Sequence, residues 1–150
     1  MRYRNTVRGT ISSATIMEAY QKAFGMSWWE LLLSSFQGVF RFADQYYQET
    51  DEGLILEVLR QDKTDLEKYV AEDFDCDDFT FRLYGIFHMN PLTAAMPIFI
   101  TWVSMPQGGH AVLSYYKAVT TTMGYVNIIE PQNDDVYFVP KEWSLMLLCG

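Results

Sequence analysis

Between Leu83 and Tyr116 the chain runs for 34 residues without one Asp, Glu, Lys or Arg. A stretch so free of charge belongs inside a protein core or inside a membrane. A membrane-spanning helix needs roughly 20 unbroken apolar residues. Pro91, Pro97, Pro106 and the pair Gly108–Gly109 interrupt this run, so the sequence predicts a buried core. With 49% hydrophobic residues in a chain of 150, there is enough apolar material for one domain.

From this core outward the hydrophobic period changes. "MPIFITWVSM", "GHAVLSYYKA", "GYVNIIEP", "DVYFVP" and "EWSLMLLC" are short runs rich in β-branched and aromatic residues. Gly, Pro, Asn and Asp separate them, which predicts antiparallel strands. Upstream the signals are helical. Ser12 or Ser13 caps a helix that Gly25 stops. Ser27, with Glu30 three residues on, opens a second as a capping box. Trp28, Leu31, Leu32, Phe36, Val39, Phe40 and Ala43 fit its apolar face, and the pattern carries it to about residue 49 with Gly38 as a kink. Residues 54–60 read as a short helix or strand, followed by a helical turn near Thr64. A buried helix starts at Asp75 or Cys76, with Phe79, Leu83, Ile86 and Phe87 on one face. The expectation is an α+β fold with helices packed on one side of one antiparallel sheet. It is a single domain over 1–150, with a mainly helical part at 1–70 and the core at 71–150.

The formal net charge of −8 excludes a nucleic-acid surface, which needs clustered Lys and Arg. It leaves room for a divalent cation. "MRYRNTVRGTISS" has basic residues but no apolar run after them, so no signal peptide is expected. With no transmembrane segment, the expected location is cytoplasmic or virion-associated. Two cysteines argue against a disulfide scaffold. Cys149 reads as a small apolar residue ending a strand.

Cys76 is the unusual one. From Glu72 to Asp78, five of seven residues are acidic, with only Phe74 and Cys76 between them. At a helix start the thiol feels the positive end of the helix dipole, which favours thiolate. The neighbouring carboxylates oppose it, so a thiolate here needs a cation or an imidazolium. His110 follows Gly108–Gly109 at the start of a strand, and Glu130 ends the next strand. Nucleophile, base and orienter would then lie on a helix and two strands. Asn127 and Asp134 are the other candidates for the third member. His88 reads as a helix C-terminal dipole partner.

"FDCDDF", "GHAV" and "IEPQ" together resemble the papain-like, transglutaminase-like cysteine hydrolase superfamily. More narrowly they look like the C-terminal cysteine-protease domain of the fungal mushroom agglutinins and its small phage and microbial relatives. The resemblance covers about Tyr69 to Trp143 and leaves the N-terminal half unmatched. It implies Cys76 as nucleophile, His110 as general base and Glu130 as the residue orienting the ring. It implies a nucleophile helix packed on the sheet, and calcium held by Asp75, Asp77 and Asp78. The implied function is a cysteine-dependent hydrolase acting on a peptide or protein substrate. One departure is the lack of Gln or Asn just before Cys76 to serve as an oxyanion donor; the Cys76 N–H and Tyr69 are the substitutes.

A second reading stands beside it: a non-catalytic structural or interaction protein, for example a phage or virion component that keeps the fold. A calcium-binding module without catalysis is a third. The aromatic stretch that begins at Trp28–Trp29 reads as core or as the face of a homo-oligomer.

Overall fold

The computed structural model describes residues 9–150. The expectation of no signal peptide concerns residues 1–13, most of which lie outside the described residues. The chain is α+β, as the sequence predicts. A six-stranded mixed sheet has the order β2-β8-β4-β5-β6-β7. Its strands are β2 (Phe40–Arg41), β4 (Ile98–Met105), β5 (Gly108–Ala118), β6 (Gly124–Glu130), β7 (Asp135–Phe138) and β8 (Ser144–Cys149). All neighbours pair antiparallel except β2 and β8, which run parallel. A small antiparallel ribbon joins β1 (Thr10–Ser12) to β3 (Tyr46–Gln48).

The five strand expectations became β4 to β8. The helices start where their caps stand. Ser12 accepts from the Thr15 N–H at 3.2 Å and opens α1 (Ser13–Ala23). Ser27 and Glu30 form the expected box at the start of α2 (Trp28–Gln37). Asp51 accepts from the Leu54 N–H at 3.2 Å and opens α3 (Glu52–Gln61). A 3-10 turn, Thr64–Leu66, follows. α4 spans Cys76–Met89, with Asp78 Oδ2 accepting from the Asp75 N–H at 3.2 Å. Acids in that first turn suit the helix dipole.

Two expectations needed correction. The second helix does not continue to residue 49. Gly38 takes φ 67°, the left-handed position that ends a helix, and the chain then enters β2 and β3. The helices also do not share one side. α3 and α4 pack on the sheet face that shows Ile98, Ile100, Leu113, Tyr115 and Ile129. α1 packs on the opposite face with Phe99, Tyr116, Val126 and Leu148. Alternation along each strand makes both faces apolar, and each needs a cover. Inside the α1 layer, Tyr20 Oη and Ser114 Oγ lie 2.7 Å apart, and Ser114 Oγ and Thr101 Oγ1 lie 2.5 Å apart. That chain of hydroxyls satisfies three buried polar groups at once. Both cysteines are free. Cys149 ends β8 against the core as expected, and burial pushes its thiol up. Among the described residues no helix is long and apolar enough to cross a membrane.

Candidate functional site

The β4–β5 hairpin sets the first functional side chain. Gly108 sits at φ 133°, a backbone conformation that favours glycine. It turns the chain into β5, where His110 pairs with Val103 of β4. Glu130 closes β6 opposite Asp135 of β7. His110 Nε2 lies 2.7 Å from Glu130 Oε2, and the two side chains are 13% and 14% exposed. So the sequence pairing of His110 with Glu130, 20 residues apart, is present in space.

Two aromatic residues complete the cluster. The Trp143 ring stands at 85° to the His110 ring with centroids 6.1 Å apart. Trp143 also meets Tyr137 of β7 at 83° and 6.1 Å. Burial first, then the charges of Glu130 and Asp135, push the Tyr137 phenol up, so it stays protonated as a donor. Glu130 Oε1 is buried with no partner among the described residues. Neither Tyr137 nor Trp143 was singled out from the sequence. Their one signal was an aromatic ring in each of the last two strand runs.

Cys76 opens α4. Its Sγ lies with a carboxylate oxygen of Asp75 and one of Asp77, all within 4.8 Å of one another. Among the described hydrogen bonds none joins Cys76 to His110; the Cys76 carbonyl accepts from Thr80 Oγ1 at 2.8 Å. His110 and Glu130 share the face of Val112 and Ile128, whereas Leu113 and Ile129 face the layer of α4. Asn127, another candidate for the third member, donates from Nδ2 to Tyr115 Oη at 2.8 Å. Tyr115 in turn donates to Glu52 Oε1 at 2.7 Å. Asp134 sits at φ 60° with a buried, unpartnered Oδ1. Burial, then Asp65 and Asp62, push its carboxyl up to about 6. His88 does lie in the last turn of α4, but burial lowers its pKa and weakens it as a dipole partner.

The acid knot is partly assembled. Asp75 and Asp77 converge, and Asp78 spends one oxygen on the helix cap. A hydrogen bond that Asp77 donates to the Asp75 carboxylate raises the Asp77 pKa, with burial adding to it. Asp75 Oδ1 is buried without a partner. Two converging carboxylates and an unpaired oxygen suit a hard cation with oxygen ligands; the adjacent thiol does not.

No family model and no curated protein matches the chain. Its fold does occur among solved structures. One is described as a "PSL1a-E64 complex", at 15% identity and TM-score 0.72, over 94% of this chain and 51% of that one. Another is a Polyporus squamosus lectin bound to the human-type influenza-binding epitope Neu5Aca2-6Galb1-4GlcNAc, at 15% identity and TM-score 0.72, over 94% and 49%. The chain thus spans about half the length of these neighbours. At this identity the likeness is one of fold.

These findings correct the sequence reading. One neighbour is described as a lectin bound to a glycan, and neither is described as a peptidase. The assignment to papain-like, transglutaminase-like hydrolases, to the agglutinin protease domain and to a peptide or protein substrate is therefore withdrawn. The physical reason lies in the contacts. The side chains gathered with the thiol are the carboxylates of Asp75 and Asp77, a set that suits a cation better than a peptide substrate.

Proposed function

We propose that the chain is a non-catalytic binding module whose ligand is a carbohydrate, taken at the cluster of His110, Glu130, Tyr137 and Trp143. The observation that carries the reading is Trp143 standing edge-on to a half-sheltered His110–Glu130 pair. A sugar ring has apolar C–H faces and a rim of hydroxyls. An aromatic ring beside fixed donors and acceptors complements both. The lectin neighbour supports the ligand class through the shared fold. His110 is the one basic side chain of the cluster and is paired with Glu130, so a neutral sugar suits the site better than an anionic one. The same proposal gives Asp75 and Asp77 a divalent cation such as calcium. Its role there is to offset two converging negative charges, away from the sugar.

The test is calorimetric titration with Galb1-4GlcNAc and with its sialylated form. Binding of the neutral disaccharide at least as tight as of the sialylated one, lost in Trp143→Ala and His110→Ala, supports the reading. No heat from either sugar sinks it. So does rapid labelling of Cys76 by a thiol-directed electrophile that slows in His110→Ala, because that outcome couples the thiol to the imidazole.

A further inference from the structure

α2 is built inside out. Ser34 faces the body of the protein and is buried, its hydroxyl donating to the Leu31 carbonyl at 2.7 Å. The large apolar side chains face away. Trp28 is 67% exposed, Trp29 68%, Leu33 56% and Phe36 84%, and Leu32 is exposed as well. At about 100° per residue these five positions fall within an arc of roughly 140°. The arc carries no charge. The one ionised side chain of α2, Glu30, is tied back to its cap, Oε2 accepting from the Ser27 N–H at 2.6 Å. A monomer in water rarely shows so large an apolar face, and one of this size marks an interface. The Trp28 and Trp29 rings brace each other edge to face at 5.2 Å, so the surface is already ordered.

We propose that a second copy of this chain covers the face, α2 against α2 about a two-fold axis. Three observations favour that occupant. The first is area. The three aromatics, at about 150–250 Å² each when fully exposed, present roughly 400 Å². The leucines add to this, and two such faces together bury on the order of 1,000 Å², enough for a specific pair. The second is shape. Beside α2 runs a groove of about 200 Å³ whose lining sets Phe24, Met26, Leu33 and Val39 beside the polar Glu30 and Gln37. Each copy therefore has both aromatic knobs and a partly apolar hole to receive one, as an isologous contact requires. The third is charge. A lipid surface is the other occupant of an aromatic helix, but such helices carry Lys or Arg on the polar side. α2 has neither, and the chain bears a net charge of −8.

The pairing does not depend on the carbohydrate reading, although it bears on it. Ser144, the residue after Trp143, is among the groove's lining residues, so a seated partner lies near the candidate site. A dimer also presents two sites, and linked sites bind clustered ligands more tightly than either alone.

Sedimentation velocity across a concentration series tests the pairing. The wild type should reach twice the 17.5 kDa chain mass. Leu33→Glu, Phe36→Glu and Phe36→Lys should each weaken association at least ~30-fold, with unchanged circular dichroism, because these positions are exposed. Mixing Phe36→Glu with Phe36→Lys should restore the double mass. Wild type that stays at the single-chain mass into the high micromolar range overturns the proposal. So do charged variants that associate as wild type does, or a monomer that floats with phosphatidylcholine vesicles.

Discussion

Two acidic sites of this molecule differ in what faces the carboxylate. At the mouth of the sheet, Glu130 meets an imidazole at 2.7 Å and is sheltered by aromatic rings. At the start of α4, Asp75 and Asp77 meet each other and a thiol. The first is a matched pair that partial burial strengthens. The second is a like-charge cluster in need of a cation, held in place by the helix start. The local sequence looks far more reactive at the second, yet the defined geometry is at the first. Density of acidic residues along the chain is a poor guide to a site; a fixed, complementary partner is a better one.

The contrast can be broken most forcefully at Glu130. Glu130→Ala leaves the sheltered imidazole without its acceptor and should cost about 2–3 kcal/mol, read from the urea midpoint. A loss below about 0.5 kcal/mol would make the pair an ordinary surface contact. Next comes Trp143→Ala. It removes the ring beside His110 and should weaken disaccharide binding by about tenfold, or ~1.4 kcal/mol, with a smaller change in stability.

Asp134 sharpens the comparison, since it lies four residues beyond Glu130 yet faces Asp65 and Asp62 in place of a histidine. Its folded pKa, about 6, is raised above the ordinary carboxylate value near 3.9. The folded state therefore holds the proton more tightly, and stability from this group is full below about pH 4. It is lost as pH rises through about 6. Asp134→Asn should stabilise the protein at pH 7 by about 1 kcal/mol after allowance for solvent screening, and by nothing at pH 4. Parallel urea titrations at the two pH values decide it; an equal effect at both would show that the side chain does not titrate in that range. The smallest effect belongs to the half-buried Asp77, also raised and so of the same sign. Asp77→Asn should add only a few tenths of a kcal/mol at neutral pH. Calcium should raise the wild-type melting temperature and leave that of Asp77→Asn unmoved, as scanning calorimetry would show.

Much of this was readable in advance, and the reasons are local. Ser12, Ser27 and Glu30 cap helices through bonds spanning three residues, and a cap needs no knowledge of the rest of the chain. The strand runs after Pro97 announced themselves by composition and punctuation. His110 and Glu130 were found as partners because neighbouring antiparallel strands bring their ends together. What failed was anything that depended on facing. The apolar positions of α2 fit a buried stripe, yet Trp28 and Phe36 look outward. Helical period says which residues share a side, and it does not say which side meets the core.

By itself, then, the sequence determined α1, the start of α2, α4 and the strands β4 to β8, while it read β2 and β3 as helix and left α3 between helix and strand. The elements it determined were legible because caps, turn residues and period act over a few neighbouring residues. Only the tertiary structure decided that α1 and α4 cover opposite faces of the sheet, that Trp143 and Tyr137 join His110, and that Cys76 keeps company with carboxylates. Those outcomes come from packing a two-faced sheet. Each strand residue is committed to one face or the other by a period of two, and that choice is made by the whole core at once.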